Sequence, residues 1–417
     1  MRNSQEEITA ESFSASPPNL RIALVTETFP PEINGVAMTM GRLVKGLLQR
    51  GHAVQIVRPR QGRTDTPRQD EGLDEVLVTG FPIPFYSDLR LGLPSANRLI
   101  KLWQQNRPDV VHVATEGPLG WSAVAAARKL QLPVTSSFHT NFHNYSQHYG
   151  LGLLKAPVEA YLRIMHNRTM VTLVPTQAMA EVLQDSNFRN VRILSRGVSI
   201  EQFTPERRAS VLRESWGAND TDIVLLHVGR LAKEKNVGVV LNAFSAIQSR
   251  LPTAKLVFVG DGPLRENLQD ACPQAIFAGV KTGEELATYY ASGDLFLFPS
   301  LTETFGNVVP EALASGLAVL SYAYAAAAKL ITHDHNGVLV PLDAELDFIN
   351  AAVAIATDYQ KLQAIRQRAA PSVAHLDWAA VCDGFVGTLR TVVECHGSQF
   401  SAARSPFLTA PVSKPSA

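Results

Sequence analysis

Two glutamates, Glu303 and Glu311, frame the run ETFGNVVPE. A carboxylate only accepts hydrogen bonds, so two of them facing one crevice suit the vicinal hydroxyls of a sugar or a ribose. Between them the backbone amides around Phe305, Gly306, Asn307 and Val308 form an anion site if a helix starts there. The competing reading makes Glu303 a solvated loop charge and Glu311 part of an exposed helix face. The small residues of ALASG bury that helix and weaken it. Upstream, VGRLAKEKN (228–236) sets Arg230 and Lys235 in one loop. A planar guanidinium, an ammonium and free amides are what a diphosphate needs; two solvated charges beside Glu234 are the alternative. His139 falls just past an apolar strand, where a lone histidine is as often structural as chemical. His143, His148 and His166 share its region without the spacing of a zinc helix such as HExxH, so no metal is expected. Asn34-Gly35, in PPEINGVA, offers close backbone approach followed by helix amides, or else a plain tight turn. No GxGxxG accompanies it, which speaks against a nicotinamide or flavin cofactor.

These residues need a scaffold that gathers them, and the chain supplies one twice. RIALVTETF (21–29), a loop, the amphipathic MTMGRLVKGLLQRGH (38–52) and AVQIVRP (53–59) read as strand, helix, strand, the grammar of a parallel α/β sheet. DVVHVA (109–114), WSAVAAARKL (121–130), PVTSSFH (133–139), TMVTLVPT (169–176), AMAEVLQDS (178–186) and VRILSRGV (191–198) continue it. After a seam at 199–221 the pattern restarts with DIVLLHVGR (222–230) and runs to LAVLSY (317–322). In that second half a helix from about Asn307 to Ser315 is expected, with Thr304 as its cap. The expected architecture is two facing doubly wound, Rossmann-like domains, 20–199 and 200–375. A crossover helix over 376–397 follows, with disordered tails at 1–19 and 398–417. In such sheets ligands sit beyond the carboxyl ends of the strands, where the candidate residues lie.

The 417 residues carry 38 basic and 38 acidic side chains and are 46% hydrophobic. That is a core-forming chain without the basic excess of a nucleic-acid binder. Basic residues outnumber acidic ones in the first 200 positions and the reverse holds afterwards. The first half is therefore suited to an anionic membrane surface, or simply carries uneven solvated faces. Three cysteines (Cys272, Cys382, Cys395) form no CxxC pair, so reduced thiols and a cytoplasmic location are expected. The N-terminus lacks an apolar signal core. The uncharged run Ala312–Ala328 is shorter than the ~20 residues of a spanning helix and reads as helix end, glycine turn, buried strand and loop.

Taken together, the motifs resemble a known family. TETFGNVVPEALASG matches the E-x7-E signature of retaining nucleotide-sugar glycosyltransferases of two-Rossmann (GT-B) architecture. HVGRLAKEKN, VFVGDGPL, FAGV and PEINGVA match further landmarks of glycosyltransferase family 4, in order, from about Arg21 to Val393. FHTNFHNYSQHYG and TGEELATYYASGDLFLFPSLTETFGN look most similar to the GDP-mannose-dependent α-mannosyltransferases and the sulfoquinovosyl- and glucosyl-diacylglycerol synthases. The resemblance implies a donor-binding second domain and an acceptor-side first domain. It implies that Arg230 and Lys235 neutralise the donor diphosphate, Glu303 holds hydroxyls of the transferred sugar and Glu311 those of the ribose. Gly260, Gly262 and Val280 would line the base pocket, Gly35 would let the facing loop approach the diphosphate, and His139 matches the active-site histidine. It further implies a retaining, metal-free transfer of a hexose from GDP-mannose or a UDP-hexose to a hydroxyl acceptor, a membrane lipid or lipid-linked glycan. An inactive nucleotide-sugar-binding protein and an NAD-dependent oxidoreductase are the alternatives. Two places depart from the family. AYAAAAKLI (323–331) replaces a glycine-rich turn and sets Lys329 near an acidic position. The common Asn-Gly-Val turn is Arg196-Gly197-Val198, as in some mannosyltransferase relatives, where Arg196 adds charge near the cleft or lies on the surface.

Overall fold

The computed structural model describes residues 19–32, 34–83, 86–139 and 155–403. His143 and His148, nearly all of the expected N-terminal tail and the end of the C-terminal one lie outside them.

The first sheet comprises β1 (Arg21–Val25), β2 (Ala53–Pro59), β3 (Gln69–Asp70) and β4 (Leu73–Val78), while β5 (Gly80–Ile83) and β6 (Tyr86–Gly92) form a separate antiparallel ribbon. It is completed by β7 (Val110–Val113), β8 (Val134–Ser137), β9 (Val171–Val174) and β10 (Val191–Ile193) in the order β10-β9-β8-β7-β1-β2-β4-β3. Only the β3–β4 pairing is antiparallel. The second sheet holds β11 (Val224–Val228), β12 (Lys255–Val259), β13 (Ile276–Phe277), β14 (Leu295–Phe298), β15 (Ala318–Tyr322) and β16 (Val338–Val340). Its order is β13-β12-β11-β14-β15-β16, all parallel.

The central strands are buried on both faces, as a parallel sheet flanked by helices requires, and are largely apolar, with His112 in β7, Thr135, Ser136 and Ser137 in β8 and His227 in β11 as buried polar exceptions. Leu225, Leu256, Leu295 and Leu297 point into one core of the second domain. Their neighbours Leu226, Val257, Phe296 and Phe298 point into the other. In the first domain Ile22 and Leu24 face one core while Ala23 and Val25 face the second. The strand order reverses between β1 and β7 in one sheet and between β11 and β14 in the other. Those reversals open a crevice at the carboxyl ends, so the loops after these four strands are where the fold can hold a ligand.

Several expectations need correction. The elements over 69–105, including the helix Ala96–Gln105, were not legible in the pattern. The expected strands at 191–198 and 275–280 shorten to Val191–Ile193 and Ile276–Phe277. The loop expected after β15 contains a short helix, Ala325–Leu330, entered by Ala325 at φ 50°. The last helix, Trp378–Ala403, passes Gly397, the expected stop, because a single glycine inside a helix weakens it without ending it. That helix crosses to the first domain, where Cys382, Phe385 and Leu389 join the core of Ile22 and Leu24. It lies against the helix Gly35–Gln49 so closely that a Cβ on Gly46 would sit 2.3 Å from Cys382 Sγ.

Candidate active site

On the second domain, β11 delivers Gly229 at φ 152° and β12 delivers Gly260 at φ 134°. A side chain at Gly260 would strike the Gly229 carbonyl at 2.0 Å, so the two loops stack only because Gly260 carries no Cβ. Gly262 approaches Leu231 as tightly, with a Cβ position 2.4 Å from its carbonyl oxygen. The loop after β11 then carries Arg230, whose Nη1 lies 4.0 Å from Glu234 Oε1, and Lys235, whose ammonium pairs with Glu303 Oε1. Ser300 Oγ donates to the same carboxylate oxygen at 2.8 Å. The carboxyl end of β14 therefore meets the carboxyl end of β11 through a charged pair that is mostly shielded from water.

Glu311 stands apart from that pair. It lies in the helix Val308–Ala314 and accepts from the Tyr290 hydroxyl at 3.1 Å. Burial pushes its pKa up to about 7, opposed by the Tyr290 hydrogen bond and the Arg42 cation. Arg42 belongs to the first domain, on the helix Gly35–Gln49. Glu303 and Glu311 thus face the cleft with different partners rather than as one carboxylate pair. Thr304 does not cap the helix, whose N-cap residue is Asn307 with no side-chain cap bond. Its hydroxyl instead donates across the cleft to the His139 carbonyl at 2.7 Å. Phe305 is buried and its carbonyl accepts from Ala326 N at 2.8 Å, while Gly306 turns the chain at φ 89°. Val280 follows the outer strand β13 and is half exposed.

On the first domain, Asn34 Oδ1 caps the helix through Val36 N and Ala37 N at 3.1 and 2.9 Å. Gly35 is an ordinary first helical residue, and its Cβ position lies 3.7 Å from Asn307 Nδ2, so the two domains meet there. His139 follows β8. Its Nδ1 is 2.7 Å from Arg196 Nη2, and its backbone N–H donates to Glu116 Oε1 at 3.4 Å. Burial, then Arg196, His112 and His166, hold its pKa well below the usual histidine value, so the ring is neutral. Arg196 is buried at 7% exposure, which settles the earlier choice against the surface. Lys329, the other departure, reaches the first domain and donates to Ser195 Oγ at 2.8 Å.

Two residues at the β1/β7 reversal escaped the sequence reading. Glu27, buried after β1, accepts Gly92 N at 2.5 Å and Leu119 N at 3.0 Å. Burial raises its pKa to about 7 against those backbone bonds. Glu116, after β7, joins the His139 amide to His166 Nε2, 3.5 Å away. An acid immediately past an apolar strand was the available signal for both. Among the described residues no group of three or more His, Cys, Asp or Glu could hold a metal ion.

Two facing parallel sheets, with cations and carboxylates at their opposed reversals, define a nucleotide-sugar transferase of the GT-B class. Residues 33–202 match the profile of Glycosyltransferase Family 4 and residues 222–358 that of Glycosyl transferases group 1. A GDP-mannose-dependent alpha-mannosyltransferase of Mycobacterium tuberculosis is 34% identical over 377 residues, covering 89% of this chain and 97% of the relative. The sulfoquinovosyl transferase of Arabidopsis thaliana is 30% identical over 86% of this chain and 71% of its own length. An alpha-monoglucosyldiacylglycerol synthase of Streptococcus pneumoniae is 29% identical, covering 77% of this chain and 75% of the relative. Among solved structures, sucrose-phosphate synthase from Thermosynechococcus elongatus superposes with a TM-score of 0.74 at 16% identity, over 90% of this chain and 100% of that one, a likeness of fold. The chain belongs to glycosyltransferase family 4 and is a nucleotide-sugar-dependent hexosyltransferase.

Proposed function

We propose that the protein transfers mannose from GDP-mannose, with retention of anomeric configuration, to a hydroxyl of a membrane lipid or lipid-linked glycan. One observation carries the site assignment: Lys235, Ser300 and Glu303 converge where β11 and β14 end, and the next residue, Thr304, grips the His139 backbone from across the cleft. Arg230 and Lys235 take the diphosphate, Glu303 the sugar hydroxyls and Glu311 the ribose hydroxyls. Phe305, Gly306 and Asn307 present backbone to the phosphates, Gly260, Gly262 and Val280 border the base, and Gly35 fronts the diphosphate from the other domain.

The donor's sugar–phosphate C–O bond breaks, and the acceptor oxygen bonds the same face of the oxocarbenium-like carbon. The acceptor's proton passes to the departing phosphate oxygen. The cationic loop stabilises that leaving group without a metal, as preorganised charge does. Closure of the two domains keeps water out. GDP-mannose is favoured by the GDP-mannose-dependent alpha-mannosyltransferases among its mycobacterial and corynebacterial relatives. A lipid acceptor is favoured by the glucosyldiacylglycerol synthases. We propose peripheral attachment at the cytoplasmic face through the first half of the chain, in which basic residues outnumber acidic ones; no helix among the described residues is long and apolar enough to cross a membrane.

The test is incubation with labelled GDP-mannose or UDP-glucose and a membrane lipid extract, with NMR assignment of the product anomer. An α-mannolipid is expected. An inverted product, or turnover of UDP-glucose alone, sinks the corresponding part.

A further inference from the structure

Arg196 presents an energetic oddity. Its side chain is buried at 7% exposure, and no carboxylate lies within ion-pair distance of it among the described residues. Burial alone pulls its pKa down to about 10, so it keeps its charge at neutral pH. Moving a guanidinium out of water without a counter-charge is unfavourable, a cost that packing alone does not call for. The only hydrogen bond it makes among the described side chains is to His139 Nδ1, at 2.7 Å. A guanidinium donates and never accepts, so Nδ1 must be the unprotonated nitrogen of the neutral ring. The proton then sits on Nε2. That nitrogen is buried and has no hydrogen-bond partner among the described residues. A buried N–H left unmet is costly until something accepts from it.

We infer that Arg196 is a positioning residue that locks His139 in the Nε2–H tautomer, so that the ring presents a fixed hydrogen-bond donor to a hydroxyl oxygen of the transferred sugar. The inference rests on the placement of His139 beside that sugar. It assigns His139 the work of a donor and denies it that of a general base, since its one lone pair is already occupied. The surrounding charges agree. Arg196 follows β10, His112 lies in β7 and His166 ends the helix Lys155–His166; all three disfavour a second proton on the ring. Glu116 takes the His139 backbone N–H and fixes the ring's point of attachment. The departure of Arg196-Gly197-Val198 from the family's turn thereby acquires a purpose: asparagine in place of arginine presents either an oxygen or an amide and enforces no tautomer.

The lock can be read directly. Long-range 15N–1H NMR of the histidine rings, with His139 assigned by its loss in His139→Gln, is expected to show a protonated Nε2 and bare Nδ1 in the intact protein. Arg196→Met is expected to give mixed tautomers, a transfer rate down on the order of 10- to 100-fold as for orienting partners of histidines elsewhere, and an acid limb displaced to higher pH. Arg196→Lys, which still donates to Nδ1 and keeps the charge if the methionine variant fails to fold, is expected to retain the tautomer and most of the rate. In a His139→Gln background, whose amide still offers a donor near the Nε2 position, Arg196→Met is expected to cost little further. An unchanged Nε2–H tautomer in Arg196→Met, or an equal loss in both backgrounds, overturns the lock. Released tautomers with an unchanged rate overturn instead the placement of His139 beside the sugar.

Discussion

Asp294, at the head of β14, offers the sharpest test of how the donor loops are held. Its carboxylate is 5% exposed and faces three guanidiniums: Arg208 at 2.9 Å and Arg366 at 3.0 Å on Oδ1, and Arg213 at 2.9 Å on Oδ2. Val224 N donates to Oδ2 at 2.9 Å as well, so the same group pins the start of β11. One carboxylate thus ties the segment leading out of the first domain (Arg208), the helix Ser210–Ser215 (Arg213), the helix Tyr359–Val373 (Arg366) and the two strands whose far ends carry Lys235 and Glu303. Asp294→Ala leaves Arg213, 1% exposed, as a buried cation with only the carbonyls of Ser292, Asn219 and Asp222 for company. Breaking a buried pair in this way costs about 3–5 kcal/mol. For a domain of this size that is a fall in melting temperature of roughly 10 °C. Asp294→Asn is expected to lose most of the same stability, because its amide hydrogens face guanidinium hydrogens. Scanning calorimetry should show the second domain's transition moving down and the first domain's staying in place. An asparagine variant that melts within about 2 °C of the parent would falsify the argument that charge, rather than shape, holds this junction.

Glu27 and Glu311 are each raised to about 7 mainly by burial, against an ordinary value of 4.5. The folded protein therefore binds more protons than the unfolded chain between those values, and stability falls as pH rises through that window. Urea unfolding at pH 5 and pH 7.5 should show the decline, with Glu27 contributing up to about 3 kcal/mol and Glu27→Gln flattening the slope; stability that climbs with pH contradicts it. If Glu311 grips ribose hydroxyls as a carboxylate, GDP binding by calorimetry tightens from pH 6 to pH 8, and Glu311→Gln abolishes the trend. Glu303→Gln frees Lys235 from its internal partner, so GDP binds as well or better while sugar transfer drops by roughly 100-fold or more; parallel loss of both points to a collapsed loop instead. Gly46→Ala is expected to cost about 1–3 kcal/mol through collision with Cys382 Sγ, with Cys382→Ala restoring most of it; additive losses in the double variant speak against the close helix crossing.

What could be read from the sequence, and what could not, divides along a physical line. The inner strands β1, β11, β12 and β14 were plain because a strand buried on both faces is apolar at nearly every position, with His227 in β11 as a buried exception. The rule that ligands sit beyond the carboxyl ends of such strands then pointed to Arg230, Lys235, Glu303 and His139 from sequence alone. The ribbon of β5 and β6 and the helix Ala96–Gln105 were lost because Phe81 in the ribbon stays exposed and the helix buries only Leu99 and Trp103, leaving little periodic signal. Harder still was which group neutralises which. Lys235 meets Glu303 across 68 positions, Arg196 meets His139 across 57, and Glu27 closes on Leu119 across 92. No local pattern encodes such pairings, since they follow from the strand order. They also decide the chemistry. Two cations and two acids, counted as separate groups, suggest a site waiting open for its ligand. Paired as they are, Lys235 with Glu303 and the Tyr290 hydroxyl with Glu311, the donor must replace internal partners rather than fill unmet charge. Selectivity then comes from exchange: a phosphate takes Lys235 only if a sugar hydroxyl takes the Glu303 oxygen it vacates, so a donor missing either half leaves a buried charge unpaired.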